Sequence, residues 1–423
     1  MATSQVNFLV VAGHDIFLLH RLFIIILLAF FAKVLIRHHR ITLNWLDLAV
    51  LSFLGIMIGR LILDIFQPYP LTQSVTIAIQ IVLGVGLYFA IGSFNATRKE
   101  LLVVFRVWLF TVIFVSLYGF YQVFALNLGL PFGALQLGGF KTKIAVLWGY
   151  PRPTSFFHEP THYSAFVLPA YVFFTVVYYR GHGTVLMFKR DRMNSLFIGF
   201  IWLNYLLIVS LGGYLVIGAL VGLGTLIDRQ FRKIAVKLGI GVAVGVALIF
   251  VFAEGFAILY TPAYRIIKFA RAVFGLLFFG GTVSGSIGVR LMRLYWSVLI
   301  WIEHPLFGLG LNNSIFLDLV PPDWCSRCSG KPPATHSVFG FVVTSTGSIG
   351  LVSYMLMYTA AGKYLYQAWQ NFTNSFDRTL ALGLALTLLT NVLINFFTLP
   401  IVHALNWVFL GLGSLVISLS YRD

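Results

Sequence analysis

The chain has 423 residues, 59% of apolar types and only 10% charged, with a mean hydropathy of +0.91. Soluble chains carry about 25% charged residues, so soluble classes are excluded. Disordered, collagen-like and disulfide-scaffold classes fall as well, with 2 Cys and 39 unperiodic Gly. The net charge of +16 must be judged by its placement.

A bilayer core of about 30 Å needs about 20 mainly apolar residues per helix. Such runs predict spans at 17–36, 45–63, 74–93, 101–126, 161–179, 195–209, 212–227, 238–254, 337–361, 379–397 and 403–420. The pair flanking Ser210-Leu211-Gly212-Gly213 is short on each side, readable as two thin helices or one broken helix. The expected fold class is an all-α polytopic membrane protein of about 11 (10–12) transmembrane helices, a single integral membrane domain over 1–423.

Orientation follows from the basic loops. Arg37 and Arg40, Arg98 and Lys99, Arg180 with Lys189, Arg190 and Arg192, Arg229 with Arg232, Lys233 and Lys237, Lys363 with Arg378, and Arg422 fall in every second connection. The links around Pro68-Tyr69-Pro70 and Ser210–Gly213 hold no Lys or Arg. The basic side is therefore expected to be cytoplasmic, with the amino terminus outside and the carboxyl terminus inside. No cleavable signal peptide is expected, because the first run is long and more spans follow. No internal repeat supports an inverted-repeat transporter.

Two long segments are left on the outer face, 127–160 and 255–336. The first holds Lys141, Lys143 and Arg152 against Glu159. The second holds Arg265, Lys268, Arg271, Arg290, Arg293, Arg327 and Lys331 against Glu303, Asp318 and Asp323. Ten bases oppose four acids on a face that nucleic acid does not meet. Two readings stand: attraction to anionic headgroups, or a site for a membrane-borne polyanion such as a lipid pyrophosphate.

In the first outer segment, His158-Glu159-Pro160-Thr161-His162 matches the zinc-protease pattern H-E-x-x-H. That pattern needs both imidazoles on one face of a continuous helix, and Pro160 favours the first helical turn, leaving His158 outside. Glu159 is then a partner of the helix start, or a carboxylate steering a nearby Arg.

In the second, Arg265, Lys268 and Arg271 step by three among Phe and Leu, which reads as an interfacial amphipathic segment. The run Gly280–Ser286 is expected to break any helix. A helix follows from Val289 through Trp301 and ends at Pro305, with a turn at Gly308-Leu309-Gly310. Arg290 is expected near that helix's start, where free N–H groups and the dipole favour an anion; its guanidinium suits bidentate phosphate binding. Arg293 lies one turn on and either shares that task or snorkels to headgroups. His304, before the proline turn, is read as structural. His336, immediately ahead of the span from Ser337, places an imidazole at the outer surface with a pKa suited to general-base work. Cys325 and Cys328 form a C-x-x-C that is expected to be a disulfide pinning the loop.

Val289-Arg290, Trp296, Glu303-His304-Pro305-Leu306-Phe307-Gly308-Leu309-Gly310, Thr335-His336 and Thr346-Gly347-Ser348-Ile349-Gly350-Leu351 together resemble the signature of the O-antigen polymerase and O-antigen ligase superfamily. Arg152–Pro160 is similar to the R-x-x-S-x-F-x-E-P stretch of the polymerase branch. Ser210-Leu211-Gly212 stands where many members read Ser-Arg-Gly, and eleven spans are one fewer than the usual ligase count. The resemblance implies a metal-independent, inverting glycosyl transfer on the periplasmic face of a bacterial inner membrane, with no cofactor. The donor and partner is an undecaprenyl-pyrophosphate-linked glycan within membrane lipid, and a chain-length regulator is a candidate partner. It implies His336 as general base, with Arg290, Arg152, Arg293 and Arg265 available to the pyrophosphate and Glu159 beside them. Polymerase is the expected activity. Ligation to lipid A core is the alternative, followed by protein O-oligosaccharyl transfer and, from another class, a lipid-linked sugar flippase.

Overall fold

The computed structural model describes residues 43–131 apart from 68, 70 and 95; 133–227 apart from gaps within 134–149 and at 158 and 209; and 285–312, 337–397 and 404–421. Two short strands within 9–16 complete the described residues. The architecture is helical. The helices are α1 (Trp45–Asp64), α2 (Leu71–Gly92), α3 (Arg98–Leu128), α4 (Pro160–Tyr179), α5 (Gly183–Leu186), α6 (Asp191–Ile208), α7 (Leu211–Ile227), α8 (Gly285–Glu303), α9 (Val338–Asn371), α10 (Ser375–Asn395) and α11 (Ala404–Ser420). Three antiparallel strand pairs of two or three residues each accompany them: Leu9–Val11 with His14–Ile16, Gln136–Leu137 with Phe140–Lys141, and Ala145–Leu147 with Tyr150–Arg152.

Six of these helices, α1, α2, α3, α4, α9 and α10, are long and apolar enough to cross a membrane, and α7 and α11 contain shorter apolar stretches. Nine of the expected spans coincide with described helices to within a few residues, except that α9 runs ten residues past its expected end at 361. The spans expected at 17–36 and 238–254 lie outside the described residues, as do the amphipathic segment 265–279 and both cysteines.

Local chemistry sets the helix ends. Capping boxes start α1 (Asn44 with Asp47) and α3 (Thr97 with Glu100). The Ser337 and Asn374 side chains accept from the first-turn amides of α9 and α10. Pro160 opens α4 where its missing N–H costs nothing, and Gly129 closes α3 in the left-handed conformation.

The packing is that of a bundle in lipid. On α3, Val103, Val107, Phe110, Phe114 and Leu117 form one stripe with 53–64% of each side chain uncovered. Water would penalise such a face and acyl chains do not. The interior holds buried polar groups, Gln122, Asn194, Asn204, Asn391 and Asn406 among them. Helices approach closely over small residues, as expected where no hydrophobic force drives them together. The Trp407 ring of α11 occupies the place a Cβ on Gly84 of α2 would take.

The bundle has two chemically distinct ends. At one, Arg98 pairs with Asp377 at 3.2 Å and lies over the Phe376 ring, the His182 ring meets Phe376 edge-on, and Arg106 donates to the Val185 carbonyl. Three of the basic connections expected to share a side, at 98–99, 180–192 and 363–378, thus lie at one end; those at 37–40 and 229–237 and Arg422 lie outside the described residues. At the other end Phe339, starting α9, stacks on Phe396, ending α10. There also Phe397 packs against Gly212 at the start of α7.

Candidate functional site

The second end holds an interlock between two sequence blocks about 40 residues apart. After α8 ends at Glu303, the chain His304–Leu311 turns back onto α9. Gly347 interrupts α9 with φ 62° and ψ −155°, a region open essentially to glycine alone. In an unbroken helix the Ser348 amide would bond the Thr344 carbonyl. Here the turn is inserted between them. Ser348 N–H donates to the Pro305 carbonyl at 2.7 Å, and Leu309 N–H donates to the Thr344 carbonyl at 2.6 Å. Ile349 N–H likewise reaches the Leu306 carbonyl at 3.4 Å. Backbone groups freed by the break are therefore satisfied by the turn, which a buried break requires. Trp301 Nε1 of α8 adds a bond to Ser348 Oγ at 2.9 Å.

α1 grips the same turn from the other side. Arg60 Nε lies 3.2 Å from Asp64 Oδ1, and both side chains are buried. Arg60 Nη2 donates to the Leu309 carbonyl, which also accepts from Gln67 Nε2 at 3.0 Å. Asp64 Oδ2 accepts from the Leu311 amide and from Ser74 Oγ of α2, each at 2.8 Å. Gly310, at φ 130°, comes so close that a Cβ would stand 2.5 Å from Asp64 Oδ1.

The Arg152–Pro160 stretch is seated by a second buried network. Gln122 Oε1 of α3 accepts from the amides of Thr154 (3.0 Å) and Ser155 (2.6 Å), and Ser155 Oγ donates to the Val115 carbonyl at 2.7 Å. These bonds hold Ser155 at φ 51°, the left-handed conformation that a non-glycine residue avoids. Behind it, Tyr163 and Tyr171 hydroxyls donate to Asn204 Oδ1 at 2.7 and 3.0 Å, and Asn204 Nδ2 donates to the Ser116 carbonyl. Arg152 is buried, and its Nε donates to the Ile208 carbonyl at 3.3 Å, where α6 ends before α7.

Arg290 lies in α8, but that helix begins at Gly285, before the expected start at Val289. The last two residues of the glycine-rich run are therefore helical, and Arg290 stands beyond the four free N–H groups of the first turn. Arg290 therefore stands more than one turn into the helix rather than at its start. Arg293 is half-buried, one turn on, its carbonyl accepting from Ser297 Oγ at 2.8 Å. Ser297 packs where a Cβ on Gly340 would come within 2.9 Å, so α8 lies directly on the start of α9. Glu159 is the N-cap residue of α4 but makes no side-chain capping bond. Position 158 precedes that helix, so the H-E-x-x-H spacing is not carried by one continuous helix. His304 is exposed. His336 and Arg265 lie outside the described residues, His336 two positions before α9 begins.

The structure thus joins the H-P-x-x-G-x-G turn, the T-G-S-I-G-L segment and the start of α9 into one unit. Arg60 and Asp64 are not among the residues singled out from the sequence; their i, i+4 spacing near the end of a mainly apolar helix is the signal that marks them. Among the described residues, no group of three or more His, Cys, Asp or Glu is placed to hold a metal ion. No protein-family model and no curated protein matches the chain.

Proposed function

We propose that the protein is an inverting glycosyltransferase of the O-antigen polymerase kind. It joins undecaprenyl-pyrophosphate-linked repeat units of O-antigen or exopolysaccharide at the periplasmic face of a bacterial inner membrane. The observation that carries this reading is the interlock: two blocks that resemble the superfamily signature pack as one unit, with α8 against the start of α9. In this reading about eleven spans cross the membrane, the basic end is cytoplasmic by the positive-inside rule, and the interlocked end is periplasmic.

The chemistry follows from the residues. An acceptor hydroxyl attacks the anomeric carbon, His336 takes its proton, and the bond from that carbon to the pyrophosphate oxygen breaks with inversion. Undecaprenyl pyrophosphate departs with the electron pair. Its concentrated charge is stabilised by guanidinium groups, with Arg290 assigned the principal contact and Arg293 and Arg152 secondary ones. No enzyme nucleophile is needed, because the leaving group is already activated.

The test uses purified protein, a synthetic undecaprenyl-pyrophosphate repeat unit as sole substrate, and EDTA. A ladder of longer lipid-linked oligomers is expected, lost in His336→Ala and Arg290→Ala. Arg290→Lys should lose at least about tenfold, since a point charge does not reproduce the fork. Transfer seen only after adding lipid A core would overturn polymerase in favour of ligase. No transfer in either format, with repeat units still translocated across proteoliposomes, would replace the enzyme with a flippase.

A further inference from the structure

We infer that Arg60 and Asp64 are positioning residues for the transfer reaction, acting through the Leu309–Leu311 backbone to set the register of α8 along α9. The inference rests on the function proposed above. Charged side chains within a membrane span are costly and are retained where they serve a site. A pair serving only α1 would be complete with its own i, i+4 contact. Here both heads are also committed to another part of the chain: Arg60 Nη2 to the Leu309 carbonyl and Asp64 Oδ2 to the Leu311 amide at 2.8 Å. Ser74 Oγ fixes the same carboxylate from α2, and Gln67 Nε2 doubles the bond to Leu309. The turn is thereby held by two spans on one side and by the broken α9 on the other.

That turn is the direct continuation of α8. A displacement of 309–311 relative to α1 moves α8, and with it Arg290 and Arg293, along α9. Charge stabilisation of a departing pyrophosphate depends on where the guanidinium groups stand when the bond breaks, and a misplacement of about 1 Å costs on the order of a hundredfold in rate. Donor binding, spread over a long prenyl chain and glycan, is much less sensitive. The pair therefore acts on kcat more than on KM.

Two variants test this in the ladder assay, with initial rates measured against lipid-linked donor. Arg60→Met combined with Asp64→Leu removes the buried charges together and leaves neither uncompensated, a replacement buried pairs commonly tolerate in folding. Gly310→Ala keeps both charges and pushes the turn away with a Cβ that would stand 2.5 Å from Asp64 Oδ1. Both should lower kcat at least about tenfold with KM within about threefold, in protein that remains monodisperse at the wild-type level. Thr76→Ala, an exposed α2 residue bonded to its own helix, serves as the unaffected control. Wild-type kcat in the double variant, or rate losses that only track the folded fraction, would refute the positioning role while leaving the polymerase reading intact. An inactive wild-type protein would instead remove that reading, and the inference with it.

Discussion

Gly347→Ala places a Cβ where the interlock has no room. At φ 62° and ψ −155° a non-glycine residue is strained by about 1–3 kcal/mol. The new carbon would also stand 2.5 Å from the Leu306 carbonyl carbon and oxygen and 2.8 Å from the Gly308 nitrogen. These are backbone atoms, so relief requires the turn to withdraw. Withdrawal endangers the bonds from Leu309 to Thr344, Ser348 to Pro305 and Ile349 to Leu306, each worth about 1 kcal/mol net. The total is about 4–6 kcal/mol. Gly362→Ala, on the same helix with nothing within 4 Å of its Cβ, is the matched control and should be neutral or stabilising by up to about 1 kcal/mol. Thermal unfolding of the detergent-purified variants, followed by tryptophan fluorescence, compares them directly. At about 1 °C per kcal/mol for a chain of 423 residues, Gly347→Ala should melt roughly 4–6 °C lower. A Gly347→Ala melting point matching that of Gly362→Ala would refute the claim that the break is built around the turn.

Two further outcomes follow from buried or basic-end groups. Gln122→Leu strips the acceptor from the Thr154 and Ser155 amides and should cost about 2–4 kcal/mol; in the same melt, Thr111→Ala, whose exposed hydroxyl bonds only its own helix, should change little. Burial lowers the His182 imidazole below its ordinary value, offset in part by the Ser375 backbone and Asp377 and reinforced by Arg98. The unfolded chain then binds the proton more readily, so this contribution is whole above the ordinary histidine value of about 6.5 and is lost as pH falls through the lowered one. His182→Gln should flatten the fall in melting temperature between about pH 7.5 and 5; an unchanged slope would show that His182 does not contribute.

The sequence by itself determined what depends on nearest neighbours in the chain and on the solvent. Apolar runs placed α1, α2, α3, α4, α6, α7, α9, α10 and α11, because twenty apolar residues satisfy a bilayer wherever they occur. Pro160 marked the start of α4 in the sequence, and the capping boxes of Asn44 and Thr97, though not singled out there, are equally local, their bonds spanning three residues. Alternation of basic connections put those at 98–99, 180–192 and 363–378 on one side, and they lie at one end, though the contacts of Arg98 with Asp377 and of His182 with Phe376 were not foreseen. The early start of α8 escaped, since Gly285 and Ser286 are weak helix formers that the packed helix nevertheless includes. The break in α9 escaped too. Thr344–Gly350 reads as ordinary helix, and whether its amides bond within the helix or to Pro305 and Leu306 depends on a turn about 40 residues away. In the same way Arg60 and Asp64 were not singled out in the sequence, and the motif that holds Arg152 and Ser155 did not show which groups would bury them. Their partners Leu309, Leu311, Ile208 and Gln122 become neighbours only when the helices pack. Buried polar groups have to find hydrogen bonds wherever the fold brings them, and that choice belongs to the tertiary structure.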